Sequence, residues 1–187
     1  MAVAWTDVQN ALVAWVENTT SLAEGSVVWG FQKEPQPVRP YISLRIIPPR
    51  RLGQDALIIT TDLTQTGQEI QQTVIGQREL TIVVDSFSNA VIGAGTALEY
   101  LQDALTGVYL PSQSSLLFAA GLSYITYEQP VDLTALEAGT SYVSRAQSRV
   151  KFALTDIVEE STGYISTIQV TPTIDGTVLP TVTEGPF

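Results

Sequence analysis

One stretch constrains the fold of this chain more than any other. Between Tyr142 and Ile157, the residues Ala146, Ser148, Val150, Phe152 and Leu154 alternate with Arg145, Gln147, Arg149 and Lys151. Successive side chains of a β-strand point to opposite faces, so this pattern requires a long strand with one face against a core and the other toward water. Such a strand needs a sheet to join and a layer to cover its apolar side.

Further strands are legible around it. Residues 26–31 form a short β-rich run, and Pro35, Pro37 and Pro40 keep the following segment extended. In residues 41–47, Ile42, Leu44 and Ile46 alternate with Ser43 and Arg45, predicting a half-buried strand ended by Pro48-Pro49, with Arg50 and Arg51 exposed beyond it. Residues 55–86 read as a long β-hairpin. Leu57-Ile58-Ile59 and Leu80 to Val84 are its root in the core, and residues 60–77, rich in Thr and Gln, are its projecting polar part, with Gly67 and Gly76 as bends or bulges. A two-stranded projection is marginal in water and bare strand edges invite pairing, so the arm is expected to dock on a neighbour; the competing reading is a floppy polar loop. Residues 122–129 return to β, 131–140 read as a loop, and 164–174 as a strand. Asp175-Gly176 is a two-residue hairpin signal leading into 178–183, and 181–187 read as a loose tail.

Helices are fewer. Residues 6–19 carry a capping box, Thr6 to Gln9, followed by an apolar stripe of Val8, Ala11, Leu12, Trp15 and Val16. Residues 89–106 read as a second helix, with Asn89 as N-cap, Gly107 as terminator and a stripe through Ala94, Ala97, Leu98, Leu101, Ala104 and Leu105. Residues 112–120 read as a short helical turn capped by Ser112 and stopped by Gly121. The predicted class is therefore α+β: an antiparallel or mixed β-sheet with two main helices packed on one face, a long β-hairpin arm and a C-terminal hairpin. Residues 1–173 are expected to form the main domain and residues 174–187 an extension.

What the chain lacks narrows its chemistry. Among its 187 residues there is no Cys and no His. Disulfide frameworks, thiolate metal sites, thiol nucleophiles and any imidazole base are excluded. The first residues lack the basic and apolar regions of a signal peptide, and no apolar run is long enough to span a bilayer, so a protein kept soluble in a cytoplasm is expected. Nine basic residues against 19 acidic give a net charge of −10, which argues against a protein that grips nucleic acid. The charge is uneven. Bases lie between Lys33 and Arg78 and at Arg145, Arg149 and Lys151, whereas Asp156, Glu159, Glu160, Asp175 and Glu184 follow with no further base. Opposed charge regions suit head-to-tail packing of copies, or simply a solvated surface.

The remaining motifs are weak. Gly93-Ala94-Gly95-Thr96-Ala97-Leu98 resembles a dinucleotide loop but has Leu where the third glycine belongs, and close helix packing explains its glycines better. Asp85, Glu159 and Glu160 are carboxylates of the kind a glycosidase pairs, yet Glu159 and Glu160 are strand neighbours and face opposite ways. Asn18-Thr19-Thr20 matches a glycosylation sequon and reads as a helix end. No catalytic residue, cofactor or metal site is expected. The basic residues Arg145, Arg149 and Lys151 have two uses, cross-strand pairing with carboxylates or complementing an acidic surface on the next subunit. The expectation is an interface that includes them together with Arg50 and Arg51.

The order of segments carries a resemblance. A capped helix ending near Trp15 is followed by Trp29-Gly30-Phe31-Gln32-Lys33-Glu34-Pro35-Gln36-Pro37-Val38-Arg39-Pro40-Tyr41-Ile42-Ser43-Leu44, later by Ser144 to Phe152, then by Gly163-Tyr164-Ile165. From about Trp5 to Thr173 this resembles the neck or tail terminator proteins of tailed bacteriophages. The resemblance implies a structural virion protein, not an enzyme, at the tail–neck junction. It implies a hexameric ring that stops tube growth, meets the head–tail connector and, in contractile tails, holds the last sheath ring. The partners implied are further copies, the tail tube protein, the sheath protein and the connector; DNA passes through without specific binding, and no membrane is involved. Residues 174–187 depart from a minimal terminator. The rival expectations are another tail completion, tube or baseplate component, or a carboxylate hydrolase or sugar-binding module.

Overall fold

The computed structural model of the chain describes residues 3–31, 37–62, 69–137 and 141–163, with short pieces at 168–170, 173–174, 177–178 and 182–184. In chain order the elements are α1 (Trp5–Thr19), β1 (Val27–Trp29), β2 (Tyr41–Arg51), β3 (Ala56–Asp62), β4 (Glu69–Ser88), α2 (Ala97–Gly107), α3 (Pro111–Ala119), β5 (Leu122–Tyr127), β6 (Val131–Asp132), β7 (Ala135–Glu137), β8 (Ser141–Gly163), β9 (Ile168–Val170), β10 (Thr173–Ile174), β11 (Thr177–Val178) and β12 (Val182–Glu184). The fold is α+β, as the sequence predicts. The chain divides into two compact units, one of Ala2–Gln54 with Gly76–Asp156, the other of Asp55–Ile75 with Ile157–Phe187.

In the first unit the sheet runs β1-β2-β4-β8-β5, with β6 and β7 also paired to β8. It is mixed, because β1 is parallel to β2 while β2 with β4 and β5 with β8 are antiparallel. The register aligns Ile42 with Ser86, Leu44 with Val84 and Ile46 with Ile82, so these residues share a face. Alternate residues of β8, from Ala146 to Leu154, are buried in the same core. Its helical half comes from the α1 stripe Val8, Leu12, Trp15 and Val16 and from Leu101, Ala104 and Leu105 of α2. Trp15 is central. It is fully buried, meets Phe152 edge-on with ring centroids 5.8 Å apart, and its indole Nε1 donates to the Ala104 carbonyl at 3.1 Å. The donor is satisfied, so burying the ring carries no polar penalty.

Several element ends differ from the sequence reading, each for a local reason. The capping box at Thr6 is not used; α1 starts one residue earlier, and Ala4 supplies its carbonyl to Asp7 and Val8. β2 does not stop at Pro48-Pro49. It continues to Arg51 across a register shift between Ile47 and Arg50, and a bulge tolerates residues without an N–H. α2 begins at Ala97, not after Asn89, because Gly93 and Gly95 have φ of +87° and +81°, outside helical space. Those two glycines therefore serve the turn and not helix packing. Thr96 is the N-cap, accepting from Glu99 N at 3.3 Å, and Ser144 on β8 accepts from Ala97 N at 3.0 Å. α3 has Leu110 as its N-cap and Pro111 in its first turn, so Ser112 caps nothing. The segment expected to be a loop at 131–140 contains β6 and β7, which are too short to show a period.

In the second unit β3 and β4 form the expected hairpin, with Ala56 opposite Ile75 and Asp62 opposite Glu69. Its connecting residues 63–68, Gly67 included, lie outside the described residues. Leu57, Ile58 and Ile59 do not root it in a core, as expected from sequence; they are 58%, 46% and 60% exposed. Toward the C-terminus the expected strand at 164–174 is described only as β9 and β10. The strands flanking Asp175-Gly176 pair as a hairpin, Ile174 opposite Thr177. Residues 182–184 are not a loose tail, since β12 pairs antiparallel with β9.

Gly107 closes α2 where a Cβ would collide with the Thr19 side chain of α1. Gly107→Ala is expected to lower stability by about 1–3 kcal/mol through overpacking of the α1–α2 contact. Urea unfolding measures it, and an unchanged midpoint would show that the two helices are not held this close.

Candidate functional site

The face of the first unit's sheet opposite the helices is polar, and β8 supplies most of its bases. Asp85 on β4 is its buried centre. Arg145 Nη2 donates to Asp85 Oδ1 at 3.0 Å and Gln147 Nε2 donates to the same oxygen at 2.8 Å. Arg45 Nη2 on β2 lies 3.9 Å from Oδ2. The Arg145 guanidinium also sits 5.2 Å from the Phe87 ring centroid, and Phe87 stacks on Tyr41 at 4.7 Å. One carboxylate on the middle strand thus ties the strands on either side of it.

The same principle repeats along the strands. Glu79 Oε1 faces Arg50 Nη2 at 3.5 Å and Lys151 Nζ at 3.8 Å. Arg149 Nη1 faces Glu128 Oε2 at 3.8 Å, with both side chains about half exposed. Of the five residues expected at an interface, Arg50, Arg145, Arg149 and Lys151 each have a carboxylate within their own chain. Arg50 and Lys151 are brought together at Glu79. Arg51 stands opposite Arg78 in the β2–β4 register and is exposed. The pairing with carboxylates expected of Arg145, Arg149 and Lys151 is present within the chain, and Arg50 joins it. Sequence reading overlooked Glu79 and Glu128 as partners, because nothing local shows which carboxylates lie opposite a base once strands of distant sequence are paired.

Catalytic geometry does not emerge from these groups. Asp85 is held by Arg145, Gln147 and Arg45, with no second carboxylate among its partners in the described residues. Among the described residues, no group of three acidic side chains converges on a possible cation. No described helix is long and apolar enough to cross a membrane.

A second surface of this unit is uncharged. Val108, Tyr109, Ser114, Leu117, Phe118, Leu122, Ser123 and Tyr124 line a groove of about 300 Å³ between α3 and β5. Its wall is firm: Tyr109 and Tyr124 meet edge-on at 5.2 Å, and their hydroxyls are 3.0 Å apart. Partial burial, and then the hydrogen bond to Tyr109, push the Tyr124 phenol well above its ordinary value near 10. A pKa raised on folding stabilises the native state fully below pH 10 and loses that contribution as pH rises above it. Replacing Tyr124 by Phe is expected to flatten the fall of the melting temperature above pH 10. An identical alkaline slope in the two proteins would contradict the placement of this phenol.

The Asp85 cluster makes its own prediction. Asp85→Ala leaves Arg45 and Arg145 facing each other without their shared carboxylate, at an expected cost of about 1–3 kcal/mol, tempered because both guanidinium groups reach solvent. Chemical unfolding checks this. A loss below 0.5 kcal/mol would mean that the cluster is surface decoration.

Comparison with known proteins adds what geometry alone does not. A search of curated proteins finds no match. A family model described as phage neck terminator protein matches residues 6–180, nearly the whole length. The match takes in both units, the helical cover, the charged sheet face and the hairpin arm. The chain belongs to the phage neck terminator protein family, whose role is structural, in the tail and neck of the virion.

Proposed function

We propose that the chain is a tail terminator: several copies, six by the family resemblance, close into a ring at the head-proximal end of the tail. The observation that carries this reading is the family match across residues 6–180. One ring face fits the end of the tail tube and the other does not, so tube growth stops. The second face meets the head–tail connector, and in a contractile tail the rim also holds the last sheath ring. The work is geometric, and no substrate is turned over. A net charge of −10 suits a ring through which DNA moves without adhering. Residues 174–187 are an added contact with sheath or neck.

The basic residues enter this reading in a restricted way. Arg145 belongs to the buried Asp85 cluster, so its reversal disturbs the fold as well as any contact. Arg149, half exposed beside Glu128, is the cleaner probe. Arg149→Glu combined with Arg51→Glu is expected to leave the melting temperature within a few degrees and to weaken ring formation, most at low salt. Unchanged assembly would remove these bases from the interface. The role itself is read from tail length. An amber mutation in this gene is expected to give overlong tails. Tails of normal length that lack heads would place the protein in the connector instead.

A further inference from the structure

Two features of the first unit's polar face go beyond its internal pairing. The first is Phe31. Its φ is +68°, in the left-handed region that a bulky side chain rarely adopts, and its ring is 89% exposed over the Arg45 guanidinium at 5.8 Å. Strain of this kind exceeds what an exposed cation–π contact ordinarily returns, so the fold alone does not account for an aromatic ring here. Strain kept without return to the fold marks a functional position. The second feature is an imbalance of charge. Asp85 faces both Arg45 and Arg145, and Glu79 faces both Arg50 and Lys151, so each carboxylate answers one of two positive charges. Arg45 and Arg145 keep 42% of their side-chain surface exposed, and each lies against an aromatic ring, Phe31 for one and Phe87 for the other. Exposed arginine beside aromatic rings is the composition that carries binding energy at protein interfaces.

We infer that Phe31, Arg45 and Arg145 form a receptor for a carboxylate-bearing strand of a second copy, the last part of β8 with Val158 and Glu160. The placement of charge, not its sum, selects that occupant. All nine bases of the chain lie in the first unit, whereas the second unit has three acidic residues in Asp55–Ile75, four in Ile157–Phe187 and no base in either. A receptor with positive charge in excess is matched by a segment without a base. Within that unit, Val158 and Glu160 stand two apart on β8 and share a face, both exposed. They set an apolar side chain beside a carboxylate, as Phe31 is set beside Arg45. The guanidinium groups take the carboxylate in charge-assisted hydrogen bonds, and the Phe31 ring covers Val158. The two halves are unlike, so the contact is head-to-tail, and such contacts close into rings or continue as filaments. The inference rests on the self-association proposed above and names its two halves.

The test sets stability against assembly. Phe31→Gly removes the ring and accepts the left-handed backbone, so its melting temperature is expected to equal or exceed that of the wild type. Its association constant, read by native mass spectrometry with and without tail tubes, is expected to fall by roughly tenfold or more. Phe31→Asn, which also tolerates this backbone, serves as a second version. Glu160→Lys spoils the other half and is expected to weaken association by a similar factor. At a concentration where each variant alone is monomeric, an equimolar mixture of Phe31→Gly and Glu160→Lys is expected to form one-to-one pairs and nothing larger, through the one intact receptor and the one intact strand. Association of the wild type is expected to weaken as salt is raised. If both Phe31 variants melt more than about 5 °C below the wild type, the ring belongs to the fold and the inference is overturned. Normal assembly of Glu160→Lys, with Phe31→Gly impaired, would assign the receptor to another partner and overturn it too. Normal assembly of Phe31→Gly, or no pairs on mixing, overturns it as well. A wild-type chain that stays monomeric under every condition would instead sink the ring proposal, and this inference with it.

Discussion

The alternation along β8 gives the first unit's sheet one face covered by helices and one face of charged side chains. Its small and apolar residues, from Ser144 to Leu154, lie where α1 and α2 supply Trp15, Leu12 and Leu101. Its bases lie where no helix is available and must find charge on neighbouring strands. A one-residue slip of β8 would exchange the two sets and bury Arg145, Arg149 and Lys151. Burying unpaired bases in an apolar core costs far more than any local preference, so the register is fixed by this contrast. The Asp85 and Glu79 clusters follow from it, since they sit where the register carries the bases.

That arrangement gives several of the basic residues a partner within their own chain. A stripe of bases on an exposed strand suggests a surface that waits for a partner. Here Asp85 accepts from Arg145 and Gln147 and lies beside Arg45, and Glu79 serves Arg50 and Lys151. Among the described residues, the Leu57-Ile58-Ile59 strand and the groove at Phe118 are exposed apolar surfaces.

Much of this was legible in the sequence, and the failures share a cause. The α1 stripe, the alternation of β2 and β8, the β3–β4 hairpin and the pairing around Asp175-Gly176 all rest on periodicity or turn chemistry, which act within a few residues. The start of α2 was misplaced because the Ala94 to Leu98 stretch looks helical in composition, while the conformations of Gly93 and Gly95 decide otherwise. The end of β2 was misplaced because Pro48-Pro49 usually stops a strand, and a bulge absorbs it here. The exposure of Leu57-Ile58-Ile59 was missed because three consecutive apolar residues read as a buried strand in any local window. The partners of the bases were missed because Glu79, Asp85 and Glu128 meet them across pairings that connect distant parts of the chain.

The account stands on the claim that this protein works by joining copies of itself into a closed ring at one end of the phage tail. The most direct measurement is imaging of purified virions with a label on this chain, together with images of the isolated protein. The account predicts a closed ring in the isolated protein and label confined to the junction of tail and head. Label spread along the tail, label absent from virions, or an isolated protein that shows no closed assembly would contradict it.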